Sequence, residues 1–416
     1  MSLHALYVDF NSYFASVEQQ LQPELRGRPV GVVPVMADTT CCIAASYEAK
    51  AFGVRTGTKV SDAREMCPDI IFIEGRHAEY IKYHHRLVEA VESCTHVERT
   101  LSIDEMVCKL TGSQQIRANA LALARRIKQT IAETVGNEIR CSIGIAPNTF
   151  LAKLASNMQK PDGCVVIEAH ELPEKLYTLE LRDLNGIGRR MEERLSRNGI
   201  TTVRQLYGLN RQQLNAAWGS IEGALMHDKL RGIEPLKSEN ARRSLGHSHV
   251  LPPALRSAQA AFSVLHRLLQ KACIRLRSYG LQAGAVHVKV KFLNLPSWDA
   301  EGYCSPTDDT LELIQALEQL WQRYPARKSI PYAVGISLSS LNENGIRSRN
   351  LFVSELESRK KLNIALDNLN SRYGKNTVYF GGAYGALRSA PMRIAFNHIP
   401  DLDTEGDEMP MEHKPS

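Results

Sequence analysis

The sequence predicts a multidomain α+β protein, and three observations carry that prediction. Strands and helices interleave up to about residue 166, a helical zone runs from 167 to 233, and from about 242 the order becomes β-α-β-β-α-β. A chain of 416 residues has the length for two to four domains, each with a real core. Its hydrophobic share of 43% and charged share of 23% are those of a soluble globular protein. There is no run of about 18 apolar residues, so no membrane span is expected. The opening "MSLHALYVDF" lacks the basic and apolar regions of a signal peptide. Nine scattered cysteines without a CxxC fit free thiols in a reducing cytoplasm better than disulfides or zinc.

Taken in order, "LHALYVD" (3–9) reads as a short buried strand ending in a carboxylate. "NSYFASVEQQLQ" has helical spacing at Tyr13, Val17 and Leu21, with an Asn able to cap its start. "PVGVVPV" and "CCIAAS" are strand-like, and "YEAKAFGV" begins a helix that Gly53 stops. A helix is expected from Arg76 to Glu92, then two strands, "HVERTLSI" and "EMVCKL", meeting near Asp104. "QQIRANALALARRIKQTIAETVG" is an amphipathic helix closed by Gly136, followed by the strand "RCSIGIA" and the helix "TFLAKLASNMQK".

The last zone reads as a strand (244–251), a long helix (254–278), two strands (282–293 and 298–304), a helix (307–322) and a strand (331–340), the split, ferredoxin-like order. In its first helix Phe262, Leu265, Leu269 and Leu276 make an apolar stripe, and Arg267, Lys271 and Arg275 line another face at i, i+4, i+8.

Charge is unevenly spread. The net charge is +6, but the last sixteen residues hold six acids and one lysine, a solvated, disordered tail by composition, and the body before them is more basic still. From Asn240 to Trp298 there is no Asp or Glu, against nine basic residues: Arg242, Arg243, Arg256, Arg267, Lys271, Arg275, Arg277, Lys289 and Lys291. A surface of one sign suggests a polyanion partner.

The chemistry concentrates in "RTLSIDEMVCKL". Asp104 and Glu105 stand side by side where burial is expected, and buried carboxylates need a cation or hydrogen bonds. On a regular strand they would point to opposite faces, but at a hairpin turn both can lean to one point. Asp9, ending an apolar strand, is a candidate third. Three carboxylates suit a pair of Mg²⁺ ions working through substrate phosphates. A D-E pair alone is more often an exposed turn, and nothing in the sequence brings Asp9 to Asp104.

Six segments, "VDFNSYFASVEQ", "LRGRPVGV", "ASYEAKAFGVRTG", "SIDE", "SIGIAPNTFLAKLASNMQKPDG" and "LNGIGRRMEERL", occur in an order that resembles the Y-family, or translesion, DNA polymerases. The resemblance spans about residues 3 to 340. It implies a right-hand polymerase: a palm over 1–10 and 78–166, fingers over 11–77, a helical thumb with a helix-hairpin-helix over 167–233, and a ferredoxin-like little finger over 241–342. A C-terminal tail of 343–416 follows, its last part disordered. The stretch from about 350 is more similar to the polymerase V catalytic subunit than to polymerase IV.

By this resemblance Asp9, Asp104, Glu105 and the Phe10 carbonyl hold two Mg²⁺, with Mn²⁺ as a possible substitute. Phe14 matches the steric gate: an aromatic ring at C2′ leaves no room for a ribose 2′-OH. Tyr47, Lys50 and Lys160 match contacts to the dNTP triphosphate, and Lys50 stands where many relatives carry Arg, keeping the charge but losing the bidentate fork. Gly186 and Gly188 let a DNA phosphate approach backbone N–H groups, with Arg189 and Arg190 beside them. Arg242, Arg243, Arg267, Lys271, Lys289 and Lys291 are the further DNA contacts. Leu351 and Phe352 form a degenerate sliding-clamp anchor. The implied partners are primer–template DNA, dNTP, a sliding clamp and SOS accessory proteins, with no membrane. A non-catalytic DNA-binding accessory subunit is the rival reading, although the three carboxylates argue against it.

Overall fold

The structure, a computed structural model, describes residues 2–38, 40–235, 242–325, 329–343 and 353–387, with scattered positions from 389 to 402. The chain divides into two compact units, one built chiefly on residues 1–237 and the other chiefly on residues 238–393.

The first unit is organised by a five-stranded sheet in the order Val97–Ser102, Glu105–Lys109, Ala5–Phe10, Cys141–Ala146, Cys164–Val166. Its central strand, ALYVDF, is buried at every position and pairs antiparallel with both neighbours. Such a run has no polar alternation because neither face meets water. The helix Thr149–Met158 lies directly on the sheet, with Leu151, Leu154 and Ala155 in the core. Gly144 makes that approach possible: a Cβ there would sit 1.9 Å from the Ala152 carbonyl oxygen.

A smaller sheet carries Ala44–Ala45 antiparallel and Ile71–Glu74 parallel to Val30–Val33. Its core is slight, built on Val33, Ala49, Val54, Val60 and Ala63. The predicted helical zone contains Arg189–Arg197, Val203–Gly208, Arg211–Trp218 and Ile221–Leu230. Thr202 and Asn210 cap two of these through their side chains. Leu195, Leu206, Leu214 and Leu230 join the core under Thr149–Met158.

The second unit follows the predicted β-α-β-β-α-β order. All neighbours in its sheet are antiparallel, in the order Trp298–Thr307, Leu281–Phe292, Pro331–Glu343, Ser244–Val250. Helices Ala258–Ser278 and Thr310–Trp321 supply the core, in which Leu265, Leu269 and Leu276 are fully buried.

One expected surface residue is not on the surface. Arg267 is 7% exposed, so it presents no charge to DNA. The helix bearing it is covered on a second side by chain from the tail. Gln270 exchanges amide hydrogen bonds with the Phe380 backbone at 3.2 and 3.1 Å, and Ala386 joins the core. The helix Val353–Tyr373 brings Asp367 to Arg277, which donates to both carboxylate oxygens at 2.6 and 2.7 Å, and Asn363 to Asp309 at 3.0 Å. Arg277, one of the nine basic residues, is thus answered inside the unit. Residues 353–387 complete this domain rather than trail from it.

Leu351 and Phe352 lie outside the described residues, as does nearly all of 401–416. All nine cysteines are free thiols. Among the described residues no helix is long and apolar enough to cross a membrane.

Candidate active site

The carboxylates meet at one end of the five-stranded sheet. Ile103 and Asp104 form the turn between Val97–Ser102 and Glu105–Lys109, so the alternation breaks where the sequence requires it. Asp9 is the register partner of Glu105 across the neighbouring strand pair. The Phe10 N–H donates to the Asp104 carbonyl at 2.9 Å, tying the turn to the end of the central strand. Below the turn, the His84 Nδ1 lies 2.8 Å from the Ile103 carbonyl.

Each carboxylate has a partner from the chain itself. Lys160 Nζ lies 2.7 Å from Asp9, and Lys153 Nζ 2.8 Å from Glu105. The Ser102 hydroxyl donates to Asp104 at 2.7 Å. Among the described residues no group of three or more Asp, Glu, His or Cys stands converged for a metal ion. The two lysines take the place that cations would compete for.

Those partners do not satisfy the site. Burial pushes the Asp9 carboxyl up to about 6, against the pull of Lys160 and with a smaller push from Asp104 and Glu105. Burial raises Asp104 as well, opposed by its Ser102 hydrogen bond and reinforced by Glu105. The Tyr7 phenol beneath them is held well above its usual value, first by burial and then by the Glu105 charge. A half-buried cluster of hard oxygens, short of positive charge, fits Mg²⁺ chemistry.

The nucleotide candidates border this point. Lys50 Nζ donates to the Ser12 hydroxyl at 2.6 Å and lies 4.4 Å from the Tyr47 ring centre. Ser12, at φ 50°, holds a left-handed conformation uncommon outside glycine, at the start of helix Tyr13–Leu21. Burial lowers the Lys50 pKa, with the Lys160 charge adding repulsion and the Asp9 charge opposing both. Phe14 is half-buried and stacks on Tyr80, ring centres 4.4 Å apart.

Farther along the first unit, Gly186 takes φ +98°, Ile187 anchors in the core, and Gly188 caps helix Arg189–Arg197. Both glycines, Arg189 and Arg190 are exposed, the arrangement a phosphate-binding turn needs. In the second unit Arg242, Arg243, Lys289 and Lys291 are exposed and Lys271 is half-buried. Strand pairing sets Asp299 opposite Lys289, so acids just past the acid-free window temper that face.

Sequence reasoning missed several residues at the site. Ser102, first letter of SIDE, was legible as the nearest hydroxyl to the pair. Lys153 sits on a helix whose contact with Glu105 is long-range, and His84 lies 19 residues before its partner, so neither had a local signal.

The impB/mucB/samB family description matches residues 8–157, and its C-terminal domain matches 242–351. The chain belongs to the Y family of DNA-directed DNA polymerases. It is 35% identical over 382 residues to the DNA polymerase IV of Moorella thermoacetica, covering 90% of this chain and 94% of that one. The DNA polymerase IV of Pelotomaculum thermopropionicum is 33% identical over 383 residues, with 90% and 93% covered. Among solved structures, a Y-family chimera of Dbh and Dpo4 superposes with a TM-score of 0.69 at 25% identity, covering 82% of this chain and 100% of that chain. DinB from Sulfolobus solfataricus gives 0.52 at 26% identity, covering 81% and 98%. The five-stranded sheet, helical zone and C-terminal β-α-β-β-α-β domain are accordingly a polymerase palm, thumb and little finger. Both relatives carry the polymerase IV name, and the tail's likeness to the polymerase V subunit gains nothing from them.

Proposed function

We propose that the chain joins an incoming dNTP to the 3′-OH of primer–template DNA by two-metal phosphoryl transfer, with low processivity and past damaged bases. The meeting of Asp9, Asp104 and Glu105 at one sheet end carries this reading. These carboxylates and the Phe10 carbonyl would hold two Mg²⁺, or Mn²⁺ in their stead. When bound, such ions activate the 3′-oxygen and take up charge on the leaving pyrophosphate.

The chain's own residues do the remaining work. Lys160, on leaving Asp9, is free to meet the β- and γ-phosphates, and Lys50 with Tyr47 would hold the same triphosphate from the fingers. The Phe14 ring would lie beneath the sugar and exclude a 2′-OH. Lys153 keeps Glu105 from repelling its neighbours until metal arrives. Gly186 to Arg190 would grip the duplex backbone, joined by Arg242, Arg243, Lys271, Lys289 and Lys291 of the little finger. The assigned boundaries are palm 1–10 and 78–166, fingers 11–77, thumb 167–233 and little finger 241–342. Fingers with one three-stranded sheet and helices of 9, 5 and 7 residues are small, which supports tolerance of distorted bases.

The test is primer extension by the purified chain with Mg²⁺ and each dNTP or rNTP. Asp104→Ala should abolish incorporation and leave DNA binding intact. Folded, DNA-bound wild type that incorporates nothing, even with clamp and recombinase filament added, would restore the accessory-subunit reading. The same additions test the expected clamp and SOS partners.

A further inference from the structure

The polymerase reading leaves the buried carboxylate of Glu18 unused. Glu18 is 0% exposed and is not part of the metal site, yet a chain keeps a buried carboxylate only where several donors hold it. Here there are three. Arg76 donates to both Glu18 oxygens, through Nε to Oε1 at 3.1 Å and through its Nη2 to Oε2. Gln22 donates to Oε2 at 3.0 Å, and the Tyr80 hydroxyl to Oε1 at 2.7 Å.

Tyr80 is the residue on which Phe14 stacks, with the two rings 16° from parallel. Phe14 and Glu18 stand one helical turn apart on Tyr13–Leu21. Tyr80 and Arg76 stand at the same spacing at the start of His77–Glu92. One i, i+4 pair therefore closes on another, ring on ring and carboxylate on guanidinium. The far side of Tyr80 is fixed too: the Tyr13 hydroxyl donates to its carbonyl at 2.6 Å. His77 meets both Phe14 and Tyr80 edge-on, at 6.0 and 5.9 Å.

We infer that Glu18 and Arg76 are positioning residues for sugar selection, acting through Tyr80 to hold the Phe14 ring rigid. This rests on the steric-gate reading of Phe14. A gate that rejects one extra oxygen works only if its ring cannot tilt or retreat. Stacking alone permits sliding, since offset aromatic pairs have a shallow energy surface. The bond from the Tyr80 hydroxyl to a buried, arginine-held carboxylate removes that freedom.

The test measures kcat/KM for one dNTP and its rNTP in the full-length wild type, Phe14→Ala, Tyr80→Phe and Glu18→Gln. Tyr80→Phe and Glu18→Gln should keep dNTP incorporation within about threefold and lower the dNTP preference about tenfold, the scale of one hydrogen bond to a charged group. Phe14→Ala should lower it further. Preference unchanged in Phe14→Ala would sink the gate itself. Preference lost in Phe14→Ala but kept in Tyr80→Phe would sink only the buttress, as would equal losses for both nucleotides. If Glu18→Gln fails to fold, Tyr80→Phe, which deletes one oxygen, decides.

Discussion

Replacing Asp9 with asparagine should make the metal-free protein more stable at neutral pH while ending polymerisation. Asp9 is 7% exposed, and burial raises its carboxyl from 3.8 to about 6. A folded pKa above the unfolded value means that the fold favours the protonated form. The stability this contributes is complete below about pH 4 and is lost as pH rises through 6. At 1.36 kcal/mol per unit, ionised Asp9 costs the folded state about 3 kcal/mol at pH 7. Asparagine keeps the shape and carries no charge, so Asp9→Asn should gain up to that amount. The Lys160 ammonium it abandons can turn to water.

The assay is urea unfolding of the full chain in EDTA from pH 4 to pH 8, for wild type and Asp9→Asn. The difference between them should be near zero at pH 4, grow through pH 6 and then level off. Added Mg²⁺ should close the gap by stabilising wild type alone, since ligands that bind only the folded state raise its stability. An Asp9→Asn protein less stable than wild type at pH 7 would refute the reasoning. So would a difference independent of pH.

Three further outcomes are expected. His84 is buried and held down to about 4, so it contributes stability above pH 6.5 that is lost on acidification towards 4, about 3 kcal/mol by the same conversion. His84→Gln should therefore flatten the acid limb of the wild-type curve, and a limb that stays steep would refute this. Arg277→Ala should cost about 3 kcal/mol by leaving Asp367 without its guanidinium, and limited proteolysis should then cut within 353–373. Lys153→Met should strengthen Mg²⁺ binding about threefold by calorimetry, because the ion no longer displaces a partner from Glu105; weaker binding would make Lys153 a support of the site.

The Asp104 turn was legible because two apolar runs met at a charged pair, and a hairpin turn there lets both carboxylates lean to one point. The β-α-β-β-α-β order was legible for a similar reason, since each element carries its own period, but the two helices begin at Ala258 and Thr310, behind the caps Ser257 and Asp309, and not at 254 and 307. Arg267 misled because periodicity says which side chains share a face, not what covers it. The face was taken for solvent, and chain more than a hundred residues later closes over it through Phe380 and Ala386. Pairs that form only across distant segments, such as Glu18 with Arg76 and Lys153 with Glu105, leave no local trace in spacing.

The lysines explain how three acids can gather at one end of the sheet. Unpaired, the cluster would carry mutual repulsion in a poorly solvated pocket, a cost of several kcal/mol per ion. Lys160 and Lys153 reduce that cost, and their ammonium groups are part-exposed, with side chains at 30% and 32%, so they can withdraw into water. A fully buried partner such as a neutral hydrogen-bond donor would hold the carboxylates more firmly and compete more strongly with Mg²⁺. Both residues sit on the segment 149–163, beside the site but off the strands that carry the acids. Their withdrawal therefore need not disturb the register that aligns Asp9 with Glu105. The raised Asp9 carboxyl marks a charge the fold holds unfavourably, and a cation bound there would relieve it.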